Sequence, residues 1–533
     1  MTLLSRITGL FQSRMLAAYL GVGMASDAFM VAFRIPNLLR RFTAEGTMTS
    51  AFLPTVSEVE NSRGEDEARK VVARFIGSLG LMLLLLCILA MLGMGLLVGI
   101  QQLGRFPGER WTAQLAYLVR VLLHLAPMPA EVALTTTLAR IMFPYLILVS
   151  LTAGLSAMLN MKGRFGLPAS VSTFWNLAFL FTGSMAFQFG PPSWKEPVQA
   201  TIVFSAAVMI GGVIQLVVLW PSFRNLGYGI QWGLHLKDPD VRRVLKRMVP
   251  GILGTGINPI NATISMCLAS YLAVGAQMVL VNSNMMGEMV LGLFSTSMAT
   301  VSLPTMSRLV DRQDTDGLRD VLSTALRSTA VMAIPASIGL AVLAHPIIAM
   351  IFQTGRFGPA AVKWTATTLA FQTVGLLFIA TSRIVAQCLY ALKDYRTPAY
   401  AALVAMGANI ILSLLLMHPF GTSGMALANG LASLIGIAPL VMRLRRRLPA
   451  LPYRAVLGGW LSMSLAAGLM GLATWWGARL LHLEAFHSAR STALRLFPLI
   501  GGAAGIYLIL LMLFQVPEAK DLRALAKRKL LRR

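Results

Sequence analysis

The chain reads as an all-α, polytopic membrane protein of about fourteen transmembrane helices, and three observations lead there. Of its 533 residues, 56% are hydrophobic and 13% are charged, whereas soluble domains carry roughly 25% charged residues. Apolar runs of about 18 residues or more, each enough to cross a hydrocarbon core of roughly 30 Å, recur along the whole length. No alternating strand pattern of about ten residues occurs, and backbone groups in lipid have to be satisfied within their own segment, so helices are the economical spanning element.

The spans are expected near 3–20, 26–59, 73–100, 131–158, 166–189, 198–221, 243–272, 276–306, 322–344, 362–391, 396–417, 422–442, 455–478 and 494–516. Every second connector is rich in Lys and Arg, from Arg63, Arg69, Lys70 and Arg74 to Arg443, Arg445, Arg446, Arg447 and Arg454. With the tail that follows residue 516, one side holds 30 of the 46 basic residues and the intervening connectors hold nine. Retention of basic connectors on the cytoplasmic side then puts both termini in the cytoplasm. The net charge of +25 is read as this topology signal, and not as a nucleic-acid surface.

The connectors carry little chemistry. Residues 101–130 hold an amphipathic pattern through Trp111, Leu115, Leu118, Val119 and Leu122, and are expected to form a surface flap. His482, Glu484 and His487 lack a third firm ligand element, so this loop is expected to be solvated and no metal site is assigned. Cys87, Cys267 and Cys388 lie far apart in apolar runs and read as small buried hydrophobes. No basic region followed by an apolar run and a small-residue cleavage site opens the chain, so no cleavable signal peptide is expected.

Two internal echoes organise the spans. Ala51-Phe-Leu-Pro-Thr-Val-Ser57 resembles Val301-Ser-Leu-Pro-Thr-Met-Ser307, and Lys162-Gly-Arg-Phe-Gly-Leu-Pro-Ala169 resembles Lys393-Asp-Tyr-Arg-Thr-Pro-Ala399. Each links spans six apart, which implies two parallel six-helix halves around a central cavity, a transporter architecture that supports alternating access. The expected divisions are 1–221 and 222–442 for the halves, 443–516 for two appended helices and 517–533 for a basic tail.

Once the basic residues counted with the connectors at the span ends are set aside, seven remain within spans: Arg6, Arg14, Arg34, Arg40, Arg41, Arg140 and Arg383. Each costs roughly 2.5–3.5 kcal/mol near a bilayer centre, so each is expected to face a cavity or a partner. Five belong to the first two spans. There Pro36 removes a backbone donor and Gly46 permits a second irregularity, making both candidate hinges. The acids Asp27, Glu45 and Glu288 are too few to neutralise these arginines, so the excess calls for an anionic ligand. Paired guanidinium hydrogen bonds suit pyrophosphate. Arg140 and Arg383 read as isolated, with structural and functional roles both open. No phosphate-binding loop, HExxH or nucleophile grouping is present, so no enzyme activity, cofactor or bound nucleotide is expected. Energy is then expected from the membrane potential, a monovalent cation gradient or product removal.

Ser5-Arg6, Gly21-Val-Gly-Met-Ala-Ser-Asp27-Ala-Phe29, Arg34-Ile-Pro36-Asn37-Leu-Leu-Arg40-Arg41, Ala44-Glu45-Gly46 and Ala51-Phe-Leu-Pro54 closely resemble the MurJ (MviN) family. Asn160-Met-Lys162-Gly-Arg164-Phe165 and Gln353-Thr-Gly355-Arg-Phe357 are similar too. That family comprises lipid II flippases of the multidrug/oligosaccharidyl-lipid/polysaccharide superfamily. The resemblance implies a fourteen-helix protein of the bacterial inner membrane that carries undecaprenyl-pyrophosphate-linked disaccharide-pentapeptide to the periplasmic leaflet. It implies lipid II, membrane lipids and the cell-wall synthesis machinery as partners, and a lipid-tail groove at spans 13 and 14. Arg6 and Arg40 match family cavity arginines, Asp27 a family aspartate and Glu288 a family acid. Ser5, Asn37, Arg41, Glu45 and Arg383 complete the candidate substrate-binding set. Gln12 stands where the family has a second arginine, and Asn284-Met285 where it has Asp-Arg. These departures leave open export of another polyprenyl-linked glycan or an amphipathic drug, and a non-transporting wall-synthesis scaffold is a further alternative.

Overall fold

The computed structural model describes residues 2–43, 51–449, 453–483, 486 and 488–516. Among these the structure is helical, with no strand. Helix α1 (Thr2–Leu20) turns into α2 (Met24–Thr43), followed by α3 (Leu53–Arg63) and α4 (Glu65–Leu92). Three short helices, α5 (Met94–Gln101), α6 (Trp111–Leu122) and α7 (Ala130–Met142), lead to α8 (Tyr145–Met161), α9 (Gly166–Phe189), α10 (Pro197–Arg224) and α11 (Pro239–Ala269). Next come α12 (Ala276–Asp311), α13 (Thr315–Val342), α14 (Ala344–Phe352), α15 (Pro359–Thr373) and α16 (Leu376–Ala391), then α17 (Arg396–Arg447), α18 (Tyr453–Leu480) and α19 (Ala489–Leu513).

Among the described residues, seven helical segments are long and apolar enough to cross a membrane, or eight when the α15–α16 pair, bent by 45°, counts as one. One of the seven, α17, is 52 residues long and turns at Gly421, so it covers two of the expected spans. The other expected spans coincide with α1, α2 with α3, α9, α11 and α12. Two local expectations change. Helix α2 runs through Pro36 without a break, since a membrane helix tolerates one missing donor when its neighbours remain satisfied. The 101–130 connector is no loose flap: α6 is a helix that buries Gln114, Leu118 and Val121 and leaves Trp111, Leu115 and Val119 exposed. Gly46, Glu45, Glu484 and His487 lie outside the described residues.

By packing, the chain forms two compact units, Met1–Met278 with Thr354–Phe357, and Val279–Gln353 with Gly358–Arg533. In the first, α10 packs on α8 and α9, α2 on α7 and α11, and α1 on α9. Tyr19, Phe29, Phe179 and Phe187 surround Phe204 in its core. The packing boundary falls at 278/279, beyond the expected division at 221/222, because α11 packs on α2. The motif residue Arg356 donates its backbone N–H to Ala18 O at 2.8 Å, at the end of α1. In the second unit, α18 packs on α13 through Met463, Ala467 and Met470, and α19 on α18.

Both copies of the second echo open on the same kind of turn. After α8, Gly163 takes a positive φ of 76° and Arg164 N–H bonds back to Leu159 O. After α16, Lys393 takes φ 59° and Asp394 N–H bonds back to Leu389 O. Gly163 therefore corresponds to Lys393, the same offset at which Pro168-Ala169 meets Pro398-Ala399. The first turn closes on α3 through Lys162 Nζ and Glu60 Oε1 at 2.6 Å, and the second on α12 through Lys393 Nζ and Asp311 Oδ1 at 3.8 Å. The second pair is exposed on both sides and contributes little. A left-handed lysine costs roughly 1–2 kcal/mol, so Lys393→Gly is expected to raise thermal stability in detergent.

Asp394 is nearly buried, and burial opposes its charge. It nevertheless accepts from Arg443 Nε at 2.8 Å and from Thr397 N and Oγ1 at 3.0 and 2.9 Å, which together hold its carboxyl down to about 2. With a folded value below the ordinary one of about 3.9, its stabilisation is complete above that value and is lost as the pH falls towards about 2. Asp394→Asn is expected to flatten this acid limb in unfolding curves. Elsewhere in this unit, a Cβ on Gly430 would fall 2.7 Å from Gly375 Cα, a backbone approach that only small residues allow. Gly375→Ala is expected to cost roughly 1–3 kcal/mol by overpacking. Gly502→Ala, with nothing within 4 Å of the new methyl, is expected to be neutral or stabilising in the same thermal assay.

Candidate functional site

The most constrained polar group in the first unit is Asp27, in the first turn of α2 and fully buried. Its Oδ2 accepts from Gly275 N–H at 2.6 Å and its Oδ1 from Met278 N–H at 2.9 Å, so the carboxylate caps the first turn of α12 from a distant part of the chain. This satisfies orphan amides and places a negative charge at a helix N-terminus, where the backbone dipoles favour it. The 3₁₀ turn Leu103–Arg105 brings the compensating cation. Arg105 donates from Nη2 to Asp27 Oδ2 at 3.2 Å, from Nε to Glu131 Oε1 at 3.0 Å and from Nη1 to Leu272 O at 2.7 Å. Gln102 Nε2 reaches Glu131 Oε1 at 3.4 Å, and Thr135 Oγ1 donates to Gln102 Oε1 at 3.2 Å. Gly104 N–H donates to Ser270 Oγ at 3.1 Å, fixing the turn against the end of α11.

Arg105 and Glu131 are not legible as site residues in the sequence, where Arg105 is one of nine outer-side cations. The available signal is that Asp27 and Glu131 both open helices at the ends of apolar runs, where a buried acid needs a partner. The structure also separates Asp27 from the arginines with which the sequence groups it. Along the continuous α2, Arg40 stands 13 residues from Asp27, or about 20 Å.

Arg6 and Arg40 do lie at one depth. Arg6 is 14 residues before the end of α1 and Arg40 is 16 residues after the start of α2, so each is about 20–25 Å from the turn that joins the helices. Arg6 is half-buried and makes no ion pair among the described residues. The same face of α1 is fixed by Asn176 of α9, whose Nδ2 donates to Ser5 O and Thr8 Oγ1, both at 2.9 Å. Arg40 and Asn37 are half-buried on α2, and Arg40 is engaged by a neighbour. The side chain of Arg41 lies outside the described residues.

In the second unit, Arg383 on α16 is not isolated. Its Nη2 meets Glu288 Oε1 of α12 at 2.9 Å, with the carboxylate largely exposed. One turn away, Asn284 Oδ1 accepts from Gln372 Nε2 at 2.7 Å. This face of α12 thus presents a neutral amide pair beside one ion pair. Arg140 is exposed on α7. Cys87 and Cys388 are buried and Cys267 partly so, and no group of three or more metal-ligating residues occurs among the described residues.

A multi-pass, all-helical chain with intramembrane arginines and internal repeats defines a membrane transporter, and solved structures agree on the fold. A lipid II flippase MurJ in an inward closed conformation matches with a TM-score of 0.75 at 23% identity, covering 96% of this chain and 97% of that one. An inward-facing multidrug resistance MATE family transporter of the MOP superfamily matches with a TM-score of 0.62 at 12% identity, covering 84% and 95%. The family model described as lipid II flippase MurJ matches residues 16–491, and the chain belongs to that family. Similar relatives are the probable lipid II flippase MurJ of Vibrio cholerae, 30% identical over 98% of this chain and 96% of its own, and the lipid II flippase MurJ of Burkholderia cenocepacia, 32% identical over 84% and 82%.

Removing one partner from a buried charge network costs roughly 3–5 kcal/mol. Arg105→Ala is therefore expected to lower thermal stability sharply, and Asp27→Asn in the same chain to recover part of the loss. Additive effects of the two substitutions would contradict the pairing.

Proposed function

We propose that this protein carries lipid II from the cytoplasmic to the periplasmic leaflet of the bacterial inner membrane by alternating access, with both termini in the cytoplasm. The observation that carries the site assignment is Arg6. It is half-buried on a membrane helix, lacks an ion pair among the described residues, and stands at the depth of Arg40, while Asp27 is committed about 20 Å away. A guanidinium without an ion pair, as at Arg6, is costly in a membrane and suits a pyrophosphate, to which its planar fork donates two hydrogen bonds. Ser5, Asn37 and Arg41 are its proposed neighbours, and within the second unit Glu288 and Arg383 are proposed substrate-binding residues in their own right. Asp27 serves the reading as a structural residue. The exposed leucines of α18 and α19, among them Leu461, Leu465, Leu472 and Leu494, offer an apolar track for a polyprenyl tail. Coupling to the membrane potential or a monovalent cation, and docking of wall-synthesis proteins through the basic tail, belong to the same proposal.

Complementation of a strain depleted of its own flippase tests it. The wild-type chain is expected to restore growth, Arg6→Ala and Arg40→Ala to abolish it at normal expression, and Arg164→Ala, at an exposed connector position, to act mainly on insertion. Full growth with both cavity variants overturns the site assignment. Failure of the well-inserted wild type overturns the function, and loss only on truncation of 517–533 favours the scaffold.

A further inference from the structure

We infer that residues 227–238, a connector rich in neighbouring cations, form a strap that dips into the lipid leaflet next to the charged end of α4 and anchors the first unit there through Trp232, Leu234 and Leu236. The strap is held rigidly against α4. Gln231 N–H donates to Ala73 O at 3.0 Å, Ser78 Oγ donates to Gly233 O at 3.0 Å, and His235 N–H donates back to Ser78 Oγ at 3.0 Å. The approach is so close that a Cβ on Gly77 would run into the carbonyl of Gln231, and one on Gly80 would fall 2.7 Å from the Trp232 ring.

Depth follows from the same contacts. The strap leaves the helix at Arg74, whose Nη1 meets Asp238 Oδ2 at 2.7 Å. Its tip, Trp232, lies over Gly80, six residues or about 9 Å further along α4. Beyond Gly80 the exposed face of α4 is Met82, Leu84, Leu85, Ile88 and Leu89, a lipid-facing surface that Trp232 adjoins. Tyr228 is buried and stacked on Phe223, whereas Trp232, Leu234 and Leu236 are 64%, 48% and 45% exposed. Gly233 bends the segment and a turn follows at 236–237, so the three apolar side chains stay largely exposed while the Trp232 ring lies over Gly80. Lys237, Arg242 and Arg243 follow immediately and are exposed, placed for anionic headgroups above a buried apolar tip. A tryptophan between a charged rim and an apolar face matches the bilayer interface. On the orientation proposed above, this is the cytoplasmic leaflet, but the depth does not depend on that orientation or on the transported substrate.

Nitroxide labels on Leu234→Cys and Lys237→Cys in nanodiscs of phosphatidylethanolamine and phosphatidylglycerol test it, with the labelled wild-type chain as the blank for its native cysteines. The expected result is an oxygen-to-nickel-chelate collision ratio several-fold higher at 234 than at 237. Equal ratios at the two positions overturn the strap. A second measurement does not require new cysteines: Trp232→Phe, which keeps an aromatic ring on Gly80, is expected to reduce the fraction of tryptophan emission quenched by brominated lipid. An unchanged fraction is an equally contrary outcome.

Discussion

A carboxylate with no solvent around it must be met by the protein, and one end of the first unit is built to meet Asp27. Two backbone amides at the start of α12 and one guanidinium from a 3₁₀ turn converge on it. Arg105 also reaches Glu131 and the Leu272 carbonyl, so the starts of α2, α7 and α12 and the end of α11 share one charged knot. Such a knot is a weak source of net stability, because desolvation offsets much of its Coulomb gain, but it is unforgiving of a missing partner. That asymmetry gives a fixed register to helices whose apolar faces alone permit sliding.

Commitment of Asp27 to this knot changes the electrostatics of the opposite end. Arg6 and Arg40, about 20 Å away, are left without that acid. The second unit adds a self-neutralised Arg383–Glu288 pair and a neutral Asn284–Gln372 contact on one face of α12. On the function proposed above, the positive field for a pyrophosphate is assigned to α1 and α2 of the first unit.

Much of the fold is legible in the sequence, since bilayer thickness and backbone satisfaction leave helices as the answer wherever long apolar runs recur. The second echo is legible as well: its Pro-Ala end keeps the register that pairs the positive-φ residues Gly163 and Lys393, while its lysines are one position apart in that register. What resists reading is partnership across the chain. Arg105 and Asp27 are separated by 78 positions and Asp27 and Gly275 by 248, and no local pattern ties them. Pro36 misleads for a related reason: its local penalty is real, but the surrounding helix absorbs it. The strap at 227–238 is hidden because it reads as part of a basic connector from Arg224 to Arg247, while its contacts depend on two glycines of α4.

The account stands most directly on the recognition of pyrophosphate by the first unit. Native mass spectrometry of the wild-type chain and an Arg6→Ala chain, each offered equal amounts of lipid II and undecaprenol, measures it. The account predicts lipid II bound in preference to the alcohol by the wild type, with that preference lost in the variant. Equal binding of both lipids by the wild type, or an unaltered preference in the variant, would contradict it.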